Sequence, residues 1–544
     1  MKKRSWQQLT SGTLALVFGT SLMTGSPVSA QNSTPAGQAP GKTALTANTP
    51  VTIPQETSYA KRQLRAAWIA TVVNIDWPTK PGLAVEEQKR QYIAILDDMQ
   101  RMGMNAVIVQ VKPTSDAFYP SEYGPWSQYL TGVQGKDPGY DPLAFLIEEA
   151  HKRNLEFHAW FNPYRISMND KLANLVPNHP ARLHPDWVVS YGGKLYYNPG
   201  IPAAKDFVTN SILEVVKKYD IDAVHLDDYF YPYRVADVEF PDEATYQTYG
   251  AAQFANKDDW RRNNTDTFVY QLSTAIKQEK SYVKFGISPF GVWRNKAVDP
   301  TGSDTQAGQT NYDDLFADTR KWAQNEWIDY IAPQVYWNFG FAPAAYEKVT
   351  DWWMKQTEGK NIHLYIGQAA YKVNANNEQW AQPNELPNQL TYNLQFDRIN
   401  GSMFFSAKDL RRNPLGVADR LANDIYKHPA LVPAMPWLDN EAPKKPKLKT
   451  ADPTTDGVLI EWEDHNKNDA AYFVVYRFDG DKVGNLQDAT KLLTTVRNNG
   501  AEVQFFTDKT AVDGQAYTYV ITAADRLHNE SSESNSITLK VKKK

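Results

Sequence analysis

From about Arg65 onward the chain alternates between short apolar runs and amphipathic stretches with helical spacing. The apolar runs are 65–73 (RAAWIATVV), 105–111 (NAVIVQV), 155–161 (LEFHAWF), 222–227 (DAVHLD), 283–288 (VKFGIS), 329–335 (DYIAPQV), 362–367 (IHLYIG) and 402–406 (SMFFS). Helical patterning separates them, for example over 87–102, 141–153, 203–219 and 265–279. Apolar runs without alternation read as strands buried on both faces, and strands separated by helices make a parallel sheet. Eight such units predict an α/β protein with a (β/α)₈ TIM barrel over residues 61–435. The competing arrangement is an open, doubly wound sheet. No G-x-G-x-x-G loop follows the first strand, which argues against a nucleotide-binding version of it.

The pattern changes after Pro436. Residues 441–449 (EAPKKPKLK) mark a Pro/Lys linker, placed at 436–450. Beyond it, strands with a period of two are predicted at 457–462, 471–477, 502–507 and 516–524, forming a small all-β sandwich over 451–544. Trp462, the run Val475-Tyr476-Arg477 and the alternation of Tyr517, Tyr519 and Ile521 resemble a fibronectin type III domain. That resemblance implies a spacing or binding module.

At the other end, Lys2, Lys3 and Arg4 precede an apolar stretch from Thr13 to Met23, and Val28-Ser29-Ala30 offers small residues before Gln31. This reads as a signal peptide over 1–30, followed by a flexible linker over 31–60 rich in Ser, Thr, Pro, Ala, Gly and Gln. The expected location is extracellular. The apolar stretch is shorter than the roughly 20 residues that span a bilayer, and no other run comes near that length, so stable membrane insertion is not expected. The chain has no cysteine, which removes disulfides and a lipidated N-terminal cysteine from an exported protein. A net charge of −4 provides no global basic field, so nucleic acid is not an expected partner.

In a barrel of this kind the chemistry sits where strands end and the following loops begin. The strand ends here carry Asn74-Ile75-Asp76-Trp77, then Gln110-Val111-Lys112 leading to Asp116. Next come His158, Trp160, Asn162, Tyr164 and Arg165, followed by His225, Asp227, Asp228 and Tyr229. The last groups are Trp293 with Arg294, Gln334 with Tyr336 and Trp337, and the stretch from Ser406 to Lys408 and Asp409. Two adjacent carboxylates leaving a buried strand are costly unless paired or used. Glycoside hydrolysis needs two carboxyl groups beside the scissile bond, one to protonate the leaving oxygen and one as nucleophile or base. Asp228, with Asp227 as its alternative, is the first candidate. Asp116 is the preferred second, and Asp76 and Asp409 remain open. The other polar and aromatic residues named are candidate substrate contacts. The 16 Trp and 30 Tyr suit a cleft for sugar rings, though a large core uses aromatics as well. His158 and His225 read equally as core histidines. No spacing of zinc-ligand type is present, and neither a metal nor a cofactor is expected.

Several motifs carry a family resemblance. They are Arg65-Ala66-Ala67-Trp68, Gln110-Val111-Lys112-Pro113, Phe118-Tyr119-Pro120-Ser121, Pro138-Gly139-Tyr140-Asp141-Pro142-Leu143 and the run from His158 to Arg165. Asn198-Pro199-Gly200, the run from His225 to Pro232, Gly286 to Gly291 and Pro333 to Trp337 complete the set. Over about residues 60–430 the chain resembles the bacterial glycosyl-hydrolase-like 10 family. The resemblance implies a TIM-barrel glycosidase with a glycan as its partner. Some relatives digest peptidoglycan strands stripped of stem peptides, which implies a cell-wall-associated enzyme here. The fourth strand is also similar to the Asp-x-x-Asp-x-Asp-x-Glu strand of chitinase-type barrels. In that frame this chain has Asp222, His225, Asp227 and Tyr229, with tyrosine in place of the acid. A non-catalytic glycan-binding barrel and a hydrolase of another extracellular polysaccharide are the competing expectations.

Overall fold

The computed structural model describes residues 51–54, 58–466 and 469–542. The expected signal peptide, and the expected linker apart from 51–54 and 58–60, lie outside the described residues. Eight strands close into a parallel barrel: β1 (Leu64–Ile69), β2 (Ala106–Lys112), β3 (Glu156–Phe161), β4 (Ala223–Leu226), β5 (Lys284–Ile287), β6 (Tyr330–Ile331), β7 (His363–Gln368) and β8 (Ile399–Phe404). Neighbours in sequence are neighbours in the sheet, and β8 pairs with β1 to close it. The first run stops at Ile69 because Val72–Asn74 turns into a short 3₁₀ segment. The sixth strand shrinks to two residues, since Pro333 has no N–H to continue the ladder. The eighth starts earlier than its apolar run suggested, because Asn400 and Gly401 hide its beginning.

The helices pack their apolar stripes on the barrel. Over Val85–Arg101 the buried residues include Tyr92, Ile95, Leu96 and Met99, which share one helical face. Helix Pro142–Lys152 starts with proline in its first turn, and Asp141 caps it by accepting the Ala144 N–H at 3.1 Å. After β3 the chain makes an excursion that its apolar pattern did not announce. Arg165–Ser167, Lys194–Tyr197 and Val188–Tyr191 form a small antiparallel sheet in that spatial order, and Arg165 lies opposite Tyr196.

The C-terminal region is two antiparallel sheets. One orders Lys447–Thr454, Gly457–Glu463 and Val503–Asp508; the other orders Leu492–Arg497, Tyr472–Asp479, Ala516–Ala524 and Ile537–Lys540. Their facing sides bury Trp462, Phe473, Val475, Tyr519 and Ile521 in one core. The stretch read as linker, 436–450, ends inside a strand: Leu448 points inward while Lys447 and Lys449 stay exposed, and charged residues on an outer strand disguised the period of two.

The sandwich meets the N-terminal ends of the barrel strands. His528 contacts Glu156, the first residue of β3, at 2.6 Å, and Arg526 pairs with Asp220 and Asp222 just before β4. Glu530 pairs with Lys61 and Arg62. These contacts leave the C-terminal strand ends uncovered by the sandwich.

Candidate active site

Asp227 and Asp228 leave the C-terminal end of β4, and a hydrogen-bond chain crossing three other strands orients the first of them. Gln110 at the end of β2 accepts the N–H groups of Thr71 and Val72, each at 2.9 Å. Its amide nitrogen donates to Asn162 Oδ1 at 2.5 Å. Asn162 in turn donates to Asp227 Oδ2, which also receives the Trp160 indole N–H at 3.1 Å. Alternation along β3 places Trp160 and Asn162 on the same side, as a strand requires. Asp228 is held from the other side. Tyr233 donates its hydroxyl proton to Oδ2, and Gln334 Nε2 donates to Oδ1 at 3.1 Å while also bonding the Ser288 carbonyl at 2.9 Å.

Both carboxyls are buried. Burial, reinforced by the charge of Asp228, pushes Asp227 up to about 7. Burial also raises Asp228, against the pull of Tyr233, Gln334 and Arg165. Burial favours the protonated form of each carboxyl, and the charge of Asp228 adds to this at Asp227. Such a pair is suited to acid–base work.

Arg165 stands beside them. Its Nε and Nη2 both donate to the Pro113 carbonyl, at 2.9 and 2.8 Å, and its guanidinium lies 5.4 Å from the centre of the Tyr229 ring. It forms no ion pair among the described residues, and burial leaves it only 6% exposed. An aromatic surface surrounds the pair. Tyr229 lies against Tyr233 at 5.2 Å and Phe290 against Trp337 at 5.5 Å, while Tyr336 meets Tyr371 at 5.7 Å. Tyr229, Tyr233, Gln334, Tyr336 and Trp337 are partly open to solvent.

The structure does not bring every expected residue to this place. Asp116 is fully buried and bonded to Thr114 at 2.7 Å and Gln134 at 3.4 Å, so it holds its own loop rather than facing the pair. Asp76 accepts the N–H groups of Ala70 and Lys408 and the Ser406 hydroxyl, which ties β1 to the helix after β8; burial pushes it up to about 6. Asp409 bonds Ser406 at 3.2 Å. Lys112 reaches the Tyr123 carbonyl at 3.3 Å, and Asp116 and Glu214 are its nearby charges. Tyr164 is wholly buried against Phe268 of a surrounding helix. Trp293 donates to Asp318 and stacks on Trp352 in the outer layer, and Arg294 is paired with Asp313 and Asp299. His158 and His225 lie inside the barrel with every ring nitrogen bonded. Strand-end position alone could not separate side chains facing the mouth from those facing the helices.

Tyr233 and Tyr371 are contacts that the sequence reading passed over. Tyrosines at 229, 231 and 233 alternate after the acid pair, and that period was the available signal for Tyr233. Among the described residues no group of three or more His, Cys, Asp or Glu side chains is placed to hold a metal ion.

The family model described as glycosyl hydrolase-like 10 matches residues 63–382, from the start of β1 to beyond β7. The chain belongs to the glycosyl hydrolase-like 10 family. Glycosyl hydrolase YngK of Bacillus subtilis (strain 168) is 60% identical over 487 residues, which cover 88% of this chain and 94% of that protein. Glycosyl hydrolase DigH of Escherichia coli (strain K12) is 41% identical over 374 residues, 65% of this chain and 84% of that one. Among solved structures, the PgaB (BpsB) glycoside hydrolase domain from Bordetella bronchiseptica aligns with a TM-score of 0.43 and 14% identity, over 67% of this chain and 99% of its own. This member of the glycosyl hydrolase-like 10 family is therefore a glycoside hydrolase, and Asp227 and Asp228 fall within the matched region.

Proposed function

We propose that this enzyme cleaves glycosidic bonds in an anionic cell-wall glycan, peptidoglycan strands lacking stem peptides, using Asp227 and Asp228 as its acid–base pair. The observation that carries the reading is the pair itself: two buried carboxyls with raised affinity for a proton, at the C-terminal mouth of a barrel, ringed by aromatic faces. One carboxyl protonates the leaving oxygen as the glycosidic C–O bond breaks, and the other, as carboxylate, stands beside the cation-like sugar carbon and takes the proton of the water that adds to it. Asp116 takes no part in this version of the reaction.

Arg165 supports the anionic substrate. A buried guanidinium that feels Asp227 and Asp228 but makes no ion pair with either among the described residues is suited to an acid brought by the ligand. Stem-free strands carry a lactyl carboxylate on alternate sugars, and neutral chitin oligomers do not. Arg165→Ala is expected to lower kcat/KM on stem-free strands by about tenfold or more beyond its effect on chitin oligomers, the scale of a lost charge-assisted hydrogen bond. Equal losses on both substrates would leave a glycosidase without a cell-wall preference.

Export through the expected signal peptide fits such a substrate, and N-terminal sequencing of protein recovered from culture medium tests it. The three-plus-four strand order of the C-terminal sheets supports the fibronectin type III reading of that region.

A further inference from the structure

A column of hydrogen bonds runs through the barrel beneath the carboxylate pair, and its direction is set at both ends. The Trp68 indole N–H can only donate, and it donates to His225 Nε2 at 3.1 Å. His225 therefore carries its proton on Nδ1, which meets the Tyr330 hydroxyl at 2.9 Å. That hydroxyl accepts from His225 and gives its own proton to His158 Nδ1, also at 2.9 Å. His158 then donates from Nε2 to Glu156 Oε2 at 2.9 Å, and a carboxylate can only accept. Every member is buried.

The upper end touches the supports of the catalytic pair. His225 lies two residues before Asp227 on β4. Ser288 Oγ is 3.0 Å from His225 Nε2, and the Ser288 carbonyl accepts from the Gln334 amide that also donates to Asp228. The column needs a gap in the wall: a Cβ at Gly286 would fall 2.0 Å from the Tyr330 ring, so only glycine lets that ring cross the barrel.

The lower end is closed by the sandwich. His528 Nε2 donates to Glu156 Oε1 at 2.6 Å, and Lys284 reaches the same oxygen. His528 sits on a tight turn. Asp525 Oδ1 accepts the N–H groups of Leu527 and Asn529 at 2.8 and 2.9 Å, and His528 takes a left-handed φ of 68°. From the same turn Arg526 pairs with Asp220 at 2.9 Å and Asp222 at 3.5 Å. Asp222 directly precedes β4 and accepts the Phe157 N–H of β3 at 2.8 Å. The sandwich thus grips the starts of both strands whose ends carry Trp160, Asn162 and the acid pair.

Barrel interiors are ordinarily filled with branched aliphatic layers, and a buried polar column is costly beside such filling. A fully satisfied network repays that cost by holding one arrangement. We propose that the C-terminal sandwich is a positioning part of the catalytic apparatus: its 525–530 turn, acting through Glu156, His158, Tyr330 and His225, holds β4 so that Asp227 and Asp228 keep their working geometry. The proposal rests on the assignment of catalysis to that pair.

The test is steady-state kinetics of the full-length protein on stem-free peptidoglycan strands and on chitin oligomers, across pH. The variants are Tyr330→Phe, His528→Leu, His528→Gln, Asp227→Asn and Asp228→Asn. Tyr330→Phe and His528→Leu are expected to lower kcat by about tenfold to a hundredfold, the scale of small misplacements of reacting groups, with KM little changed. Both should also displace the alkaline limb of the pH profile, because the Gln334 contact to Asp228 loosens. His528→Gln, whose amide still donates to Glu156, should recover most of the rate. Should Tyr330→Phe fail to fold, the two His528 variants carry the comparison. Wild-type kcat and pH profile in folded His528→Leu, with Asp228→Asn inactive, would overturn the positioning role alone. Full activity in both Asp→Asn variants would overturn the carboxylate assignment and the proposal with it.

Discussion

Asp227 and Asp228 differ in how they are held, and each difference has a measurable consequence. Asp227 accepts from three donors, the Trp160 indole, the Asn162 amide and the Tyr229 N–H, whereas Asp228 accepts from Tyr233 and Gln334. Replacing either by asparagine keeps volume and removes the titrating proton, so kcat is expected to fall by about 10²–10⁴ with the thermal midpoint nearly unchanged. The pH profile follows from the raised proton affinity. With Asp227 pushed up to about 7, its acid form is present below that pH and is lost as pH rises through it, so the rate should fall on the alkaline side near neutrality. Arg165 pulls both carboxyls down, so Arg165→Gln is expected to move that limb to higher pH. An unmoved limb would mean that another group sets it. The adjacency of the two acids was legible in the sequence, because a buried strand seldom ends in two charges without a use for them. The role of Asp116 was not legible: an aspartate in a polar loop looks the same whether it faces a cleft or, as here, bonds Thr114.

Strand positions followed from apolar runs because barrel strands are buried on both faces, and the runs at 105–111 and 155–161 fall within a residue or two of β2 and β3. The small sheet holding Arg165 and Lys194–Tyr197 was not legible, since three or four residues are too few to show a period. Gly286 is the clearest element-scale device. Gly286→Ala would drive the Tyr330 ring from between His158 and His225, and should reproduce the kinetic loss of Tyr330→Phe at a further cost of about 1–3 kcal/mol from overpacking, read by denaturant melts. The starts of β3 and β4 depend on ionised acids. Burial alone would raise Glu156, but Lys284 and His528 hold it well below its ordinary value of 4.5. Burial would raise Asp222 likewise, yet His151 and Arg526 hold it low. Carboxyls with depressed folded values stabilise above their ordinary value and lose that contribution as pH falls through the folded one. Stability should therefore decline on acidification below about pH 4. Glu156→Gln should flatten that decline; an unchanged acid limb of unfolding would count against it.

Barrel and sandwich share a polar and apolar seam at the scale of the whole molecule. Leu431, after the last barrel helix, is buried among Tyr472, Val474 and Tyr476 of the sandwich, while Lys61, Arg62 and Glu530 pair across the same seam. A chain ending near residue 440 would leave Glu156 and Lys284 without His528 and uncover Leu431. Losing the His528 contact and exposing Leu431 both weaken the barrel, so the shortened chain is expected to melt lower than the full chain, as calorimetry can show. An equal midpoint would make the sandwich an independent appendage. The sequence by itself determined that this protein is a barrel followed by a β-rich region, and that two adjacent acids leave β4. Both are set by local pattern: which residues are apolar, at what period, and where charge interrupts them. Only the tertiary structure decided which strand-end residues meet. Trp160 and Asn162 turn toward Asp227 while Tyr164 and Trp293 turn into the helix layer, and Tyr233 reaches Asp228. It also decided that His528, 300 residues beyond Asp228, closes a column leading to it. Those pairings depend on barrel closure and domain docking, which bring together residues whose separation along the chain carries no local signal.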